Sequence, residues 1–221
     1  MDSKVVNREI RKSIWPLFKE AGFMSRTPRT AWRHTDDTVD VVNFQSFNSY
    51  IASVMGVTTF SFSVNFGSYL RYIPPQWPPQ KIKEGIPFPQ EYECHFRGGL
   101  KRGITQPGIK DEYIWFVSEN GRNLDWCIND VVKMIPIALE WFKQFHDRRK
   151  VLQLLTTGEQ VMQELWGYGN NPSPIRSYLK GYVALSLNEN DLANQNFLDA
   201  VESGCFSHLF SSIEGARYRA L

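Results

Sequence analysis

The sequence predicts an α+β fold, with an antiparallel sheet of about five strands packed on N-terminal and central helices and followed by an all-helical C-terminal extension. Three observations carry this reading. Residues 57–67 alternate, Phe60, Phe62, Val64 and Phe66 against Ser61, Ser63 and Asn65, which is the period of a strand with one buried face. Residues 3–22 and 123–147 instead repeat apolar residues every three or four positions, the helical period. From 148 onward the pattern stays helical.

The first helix gathers Val6, Ile10, Ile14, Leu17, Phe18 and Ala21 on one face. Pro16 lies inside it and predicts a kink or a split last turn, because proline removes an N–H and crowds the preceding turn. Gly22 suits the C-terminal cap. Strands are expected at 30–34 and 38–47, either side of an Asp36–Asp37 turn, then at 57–67, 91–97 and 112–118. Hairpin-like connections make the sheet antiparallel, with one covered face. Prolines at 74, 75, 78, 79, 87 and 89 make residues 71–90 a long loop of polyproline character. Loops of that length are commonly functional. The plainer alternative is a rigid spacer whose Trp77 plugs an apolar surface.

The second long helix, 123–147, starts at Asn123 and carries an apolar stripe of Leu124, Ile128, Val131, Val132, Ile135, Leu139 and Phe142, with Pro136 predicting a kink. Residues 149–156 continue helical. Thr157 and Gln160 form a capping box for further turns through Trp166, before a break at 167–174. Ser173–Pro174 reads as cap and first residue of a helix over 174–187. A helix over 191–203 follows so closely that the two form an antiparallel hairpin. Gly181, Ala193, Phe197 and Ala200 fall at the small and aromatic positions of a tetratricopeptide repeat, although Ser177 and Ala184 stand where its Trp and Tyr are usual. One such repeat needs neighbours to bury its faces. The expected organisation is a sheet domain over 1–147 and a helical extension over 148–221.

The 221 residues are 42% hydrophobic and 14% aromatic, with a net charge of +2, which excludes a disordered chain. Residues 1–121 carry a net +3 and the remainder −1, without the basic stripe of a nucleic-acid binder. There is no apolar run long enough to span a membrane and no secretory h-region. Three widely spaced cysteines argue against a disulfide framework and for a reducing cytoplasm. Phosphate-binding glycine loops, CxxC, GxSxG and HExxH motifs are missing, so no catalytic residue, cofactor or metal is assigned.

The most chemically loaded segment is Glu93–Cys94–His95–Phe96–Arg97. On a strand, Glu93, His95 and Arg97 share one face and Cys94 points away, so Cys94 and His95 cannot act as a pair. With Trp77 and the basic hairpin end at Lys101 and Arg102, they form the candidate partner-binding set: Trp77, Glu93, His95, Arg97, Lys101 and Arg102. The plain alternative is an ion-pair ladder on a solvated sheet face. The enzymatic alternative uses Glu93 or His95 as general base and Arg97 or Arg102 as anion clamp. Asp36, Asp37 and Asp40 read as a solvated turn. His146 reads as a cation at a helix C-terminus, and His34 and His208 have no evident partners.

The segments VNREIRKSIWPLFKEAGF (6–23), TAWR (30–33), VDVVNFQ (39–45), FSVNFG (62–67) and ECHFRGGL (93–100) occur in this order. Over roughly residues 5–145 the chain thereby resembles the bacterial domain-of-unknown-function family numbered 4304. The resemblance implies a small cytosolic bacterial protein and carries over no catalytic residue. Some proteins of this general build are immunity proteins that neutralise toxins, an analogy of architecture alone. The expected function is a non-catalytic protein-binding protein, such as a bacterial immunity or defence-system component. The alternative is an enzyme or small-ligand sensor with its site around Glu93, His95 and Arg97. The expected partner is another protein, or a second copy through the polar sheet face, with neither nucleic acid nor membrane involved.

Overall fold

The structure, a computed structural model, describes residues 2–157 and 173–220. The helix expected from the Thr157–Gln160 capping box through Trp166, and the break after it, rest on residues outside these. The chain opens with α1 (Ser3–Glu9), capped by Asp2, whose carboxylate accepts the Lys4 N–H at 2.7 Å. A π-helical turn at Ile10–Ile14 follows, then α2 (Trp15–Glu20). Pro16 has no N–H to offer the preceding turn, and the widened π turn directly before it absorbs the mismatch. Gly22, at φ +92°, closes the helix, and Phe23 N–H reaches back to Phe18 O at 3.0 Å. This is a glycine-dependent C-cap, as expected.

The sheet is built from β1 (Ser25–Arg26), β2 (Thr30–His34), β3 (Thr38–Ser46) and β4 (Phe62–Leu70). A small separate hairpin, β5 (Ile82–Lys83) and β6 (Ile86–Pro87), precedes β7 (Phe96–Gly99) and β8 (Ile114–Trp115). The order is β1-β2-β3-β4-β7, every pair antiparallel, with β8 on the beginning of β4. Cross-strand partners Ala31 and Val42, Val42 and Phe66, and Phe44 and Val64 put one apolar face together.

Several expected boundaries move. β4 begins at Phe62 because Thr58 and Ser61 fold the preceding residues into a turn, exchanging hydrogen bonds at 3.2 Å. The strand expected at 91–97 is instead a 3-10 turn at Glu91–Glu93, and only Phe96–Gly99 is strand. The Glu93 carboxylate accepts the Gln90 N–H at 2.7 Å, capping that turn and competing with the sheet. α3 (Ser49–Met55), between β3 and β4, has no counterpart in the sequence reading.

α4 (Leu124–Lys143) continues through Pro136 and lays its stripe across one sheet face. There Val6, Ile10, Trp15 and Phe18 meet Val42, Phe44, Val64 and Phe66. A second core joins Leu70, Ile73, Phe96 and Phe145 to α5 (Arg148–Thr156), α6 (Pro174–Ser186), α7 (Asn190–Glu202) and α8 (Ile213–Tyr218). It supplies the surface that the α6–α7 hairpin requires. Ser173 caps α6 as expected, accepting the Arg176 N–H.

The opposite sheet face was expected to be polar and open. Over much of its area it is covered: Trp32, Val39, Val41, Tyr69 and Cys94 form a third cluster with Phe88 of the proline-rich segment. The physical reason is that β2, β3 and β4 carry large apolar residues on both faces. The cover lies close, since a Cβ at Gly67 would fall 2.5 Å from Cys94 Sγ.

Candidate functional site

A cleft of about 460 Å³ lies between the proline-rich segment, the 3-10 turn and the first turns of α6. Trp77, Tyr92, Glu93, His95, Arg97 and Tyr178 are among its lining residues. It thus gathers four of the six candidate residues, Trp77, Glu93, His95 and Arg97. The alternation in the sequence sets the last three on one strand face. The 3-10 turn instead rotates Glu93 away from a strand row, and α6 forms a far wall that no local pattern announced.

The proline-rich segment is pinned at several points. Tyr178 Oη donates to Pro74 O, and an Arg219 guanidinium N–H donates to Pro75 O at 2.8 Å. Trp32 Nε1–H donates to Pro89 O at 2.7 Å, and His34 Nε2 lies 2.9 Å from Pro87 O. The Glu93 carboxylate accepts both Gln80 N–H at 3.0 Å and Gln90 N–H at 2.7 Å. Between these ties Trp77 stands 72% exposed, its ring stacked on His208 at 5.2 Å. It does not plug an apolar surface. Tyr92, also at the cleft, is 52% exposed.

His95 is committed differently from a general base. Its Nδ1 accepts the Leu70 N–H at 2.9 Å, which leaves the ring proton on Nε2. Burial pushes its pKa down to about 3, so the ring is a neutral donor at physiological pH. Burial also raises the Cys94 thiol well above its ordinary range, and the thiol donates to Gln90 O. Arg97 has a buried Nε without a partner, and its guanidinium makes no hydrogen bond or ion pair among the described residues.

Lys101 and Arg102 lie outside the cleft lining. Arg102 directs its N–H groups to the carbonyls of Ile104, Ile109, Asp111 and Ile114, at 2.6–3.0 Å, and so fastens the loop before β8. Lys101 pairs with Glu112 at 2.8 Å and lies over the Tyr113 ring.

The acidic turn is not uniformly solvated either. Asp37 pairs with Arg148, whose hydrogen bonds and charge lower its pKa. Asp40 is fully buried: Oδ2 accepts from Arg33 Nε and Nη2 at 2.9 and 2.8 Å and lies 2.8 Å from His146 Nε2, while Oδ1 accepts from Ser68 at 3.1 Å. His146 therefore has a carboxylate partner 106 residues away in sequence, beyond the helix-end role expected of it. Ser68 bonds the aspartate and not the histidine, so the trio lacks the nucleophile–base contact of a hydrolytic triad. It ties the end of α4 to the sheet.

Residues 14–144 match the family model described as Domain of unknown function (DUF4304), more than half of the chain. The chain belongs to this family. Neither a curated protein nor a solved structure matches it. The DUF4304 region contributes Trp77, Tyr92, Glu93, His95 and Arg97 to the cleft, and Tyr178 and Leu179 come from beyond it. Among the described residues no helix is long and apolar enough to cross a membrane, and no group of His, Cys, Asp or Glu could hold a metal ion.

Proposed function

We propose that this DUF4304 protein is a non-catalytic binding protein whose cleft takes a segment of a partner protein against Trp77. The carrying observation is the exposure of Trp77 on a loop pinned on both sides. A large rigid aromatic held out of the core costs little to order on binding, and such residues dominate interface energies. The candidate general bases are otherwise engaged. Both Glu93 oxygens accept backbone N–H groups, His95 is a neutral donor and the Cys94 thiol stays protonated. This weakens the enzymatic alternative at the same residues. A role as a bacterial immunity or defence-system component suits such a binder, with its action carried by occupancy of the partner.

The test is a side-by-side capture with tagged wild type and Trp77→Ala in the native host. The reading expects one stoichiometric protein retained by the wild type and lost from the variant. Identical co-eluting proteins on both baits would refute it.

A further inference from the structure

Resting on that reading, we propose that the bound segment carries an aspartate or glutamate side chain, received in the cleft by Arg97 and His95, with an apolar neighbour against Trp77. The inference comes from which polar groups of the cleft are already satisfied. Each Glu93 oxygen already accepts one backbone N–H, from Gln80 and from Gln90. His95 accepts at Nδ1 from Leu70 and so presents an N–H at Nε2. The Arg97 guanidinium is without an acceptor among the described residues, and its Nε is buried. A partly buried guanidinium lacking an acceptor forgoes strong charge-assisted hydrogen bonds. The uncommitted N–H groups of Arg97 and His95 are donors, and their complement is an acceptor-only anion.

The surroundings favour a carboxylate over a phosphate. Arg97 is the sole cation lining the cleft among the described residues. Glu93 shares that lining, and Glu91, 9% exposed, is close enough for the Arg97 charge to offset part of its burial-raised pKa. A dianion would meet these two carboxyl groups with one cation to offset them. A carboxylate matches the planar fork of a single arginine. The exposed Trp77 and Tyr92 rings add apolar surface beside it.

The probe is a library of random linear 12-residue peptides displayed on phage, selected in parallel on the folded full chain as wild type, Trp77→Ala, Arg97→Gln and Arg97→Lys. Wild type should enrich peptides with Asp or Glu next to an aromatic or aliphatic residue. A synthetic peptide from that pool should bind Arg97→Gln about tenfold more weakly, as expected for loss of a charge-assisted pair. Arg97→Lys keeps the charge without the fork and should fall between. It also carries the test if Arg97→Gln does not fold. Peptides lost on Trp77→Ala but without acidic preference, or indifferent to both Arg97 variants, overturn the carboxylate inference and leave the cleft reading standing. Equal enrichment on wild type and Trp77→Ala, or none on any bait, overturns the cleft reading and this inference with it.

Discussion

Replacing Gly181 by alanine tests the closeness of the C-terminal helical hairpin. A Cβ on Gly181 would sit 2.5 Å from Phe197 Cε1 and 2.6 Å from Cδ1. Carbon atoms in good contact lie about 3.5–4.0 Å apart, so the ring would have to retreat by roughly 1 Å. Phe197 is fully buried and packed edge-on against Tyr182 at 4.9 Å, which leaves it little room. Overpacking of this kind costs about 1–3 kcal/mol. Alanine returns about 1 kcal/mol of helix propensity. With so short an approach the upper part of the range applies, and the expected net loss is about 1–2 kcal/mol. For a chain of this size that lowers Tm by roughly 3–6 °C. Thermal unfolding followed by circular dichroism reads it directly. In a Phe197→Leu background the obstructing ring is gone, and the same substitution should be neutral or stabilising. Should Gly181→Ala raise Tm in the wild-type background, the helices are not apposed as described and the reasoning fails.

Two further predictions concern titratable groups. His95 has a folded pKa of about 3, against about 6.5 for an unfolded histidine. Between those values the unfolded chain takes up a proton that the native ring refuses. Its stabilising contribution is therefore complete above pH 6.5 or so and falls on acidification, by up to ~1.4 kcal/mol per pH unit. His95→Asn, which can still accept the Leu70 N–H, should show a shallower loss of stability between pH 7 and pH 5 in urea titrations, and parallel slopes would contradict the placement of the ring. Asp40→Asn should destabilise the protein by about 2–4 kcal/mol, because it leaves Arg33 without its carboxylate. Arg33 and His146 side chains are 17% and 32% exposed, and water reaching them keeps the loss below that of a fully buried pair. A change under about 1 kcal/mol in equilibrium urea unfolding would show that Asp40 is not the buried hub described.

Much of the architecture was legible because local pattern and tertiary environment agree. The strand at Thr30–His34 has the expected boundaries, α4 carries its apolar stripe into the core, and Ser173 caps α6. Gly181 and Phe197, singled out by spacing alone, meet across the hairpin. Elsewhere a polar residue on the core face broke the pattern. Ser68 faces the core side to bond Asp40, so the alternation of β4 ends early in sequence although the strand runs on to Leu70. The Glu–Cys–His–Phe–Arg run alternates like a strand, yet Glu93 serves the backbone of Gln80 and Gln90 and turns the chain. The cleft was half legible. Its residue types stood out, but which were free depended on partners such as Leu70 N–H, 25 positions away. The role of Asp40 lay in a contact with His146, which no local window contains.

The most direct measurement is a double-mutant cycle by isothermal titration calorimetry. It pairs wild type and Arg97→Gln with a selected acidic peptide and its amide counterpart, Glu or Asp replaced by Gln or Asn. If Arg97 receives that carboxylate, each single change weakens binding about tenfold and the second change then adds little, a coupling approaching about 1.4 kcal/mol. Losses that simply add would contradict the account and place the peptide's acidic group elsewhere on the protein.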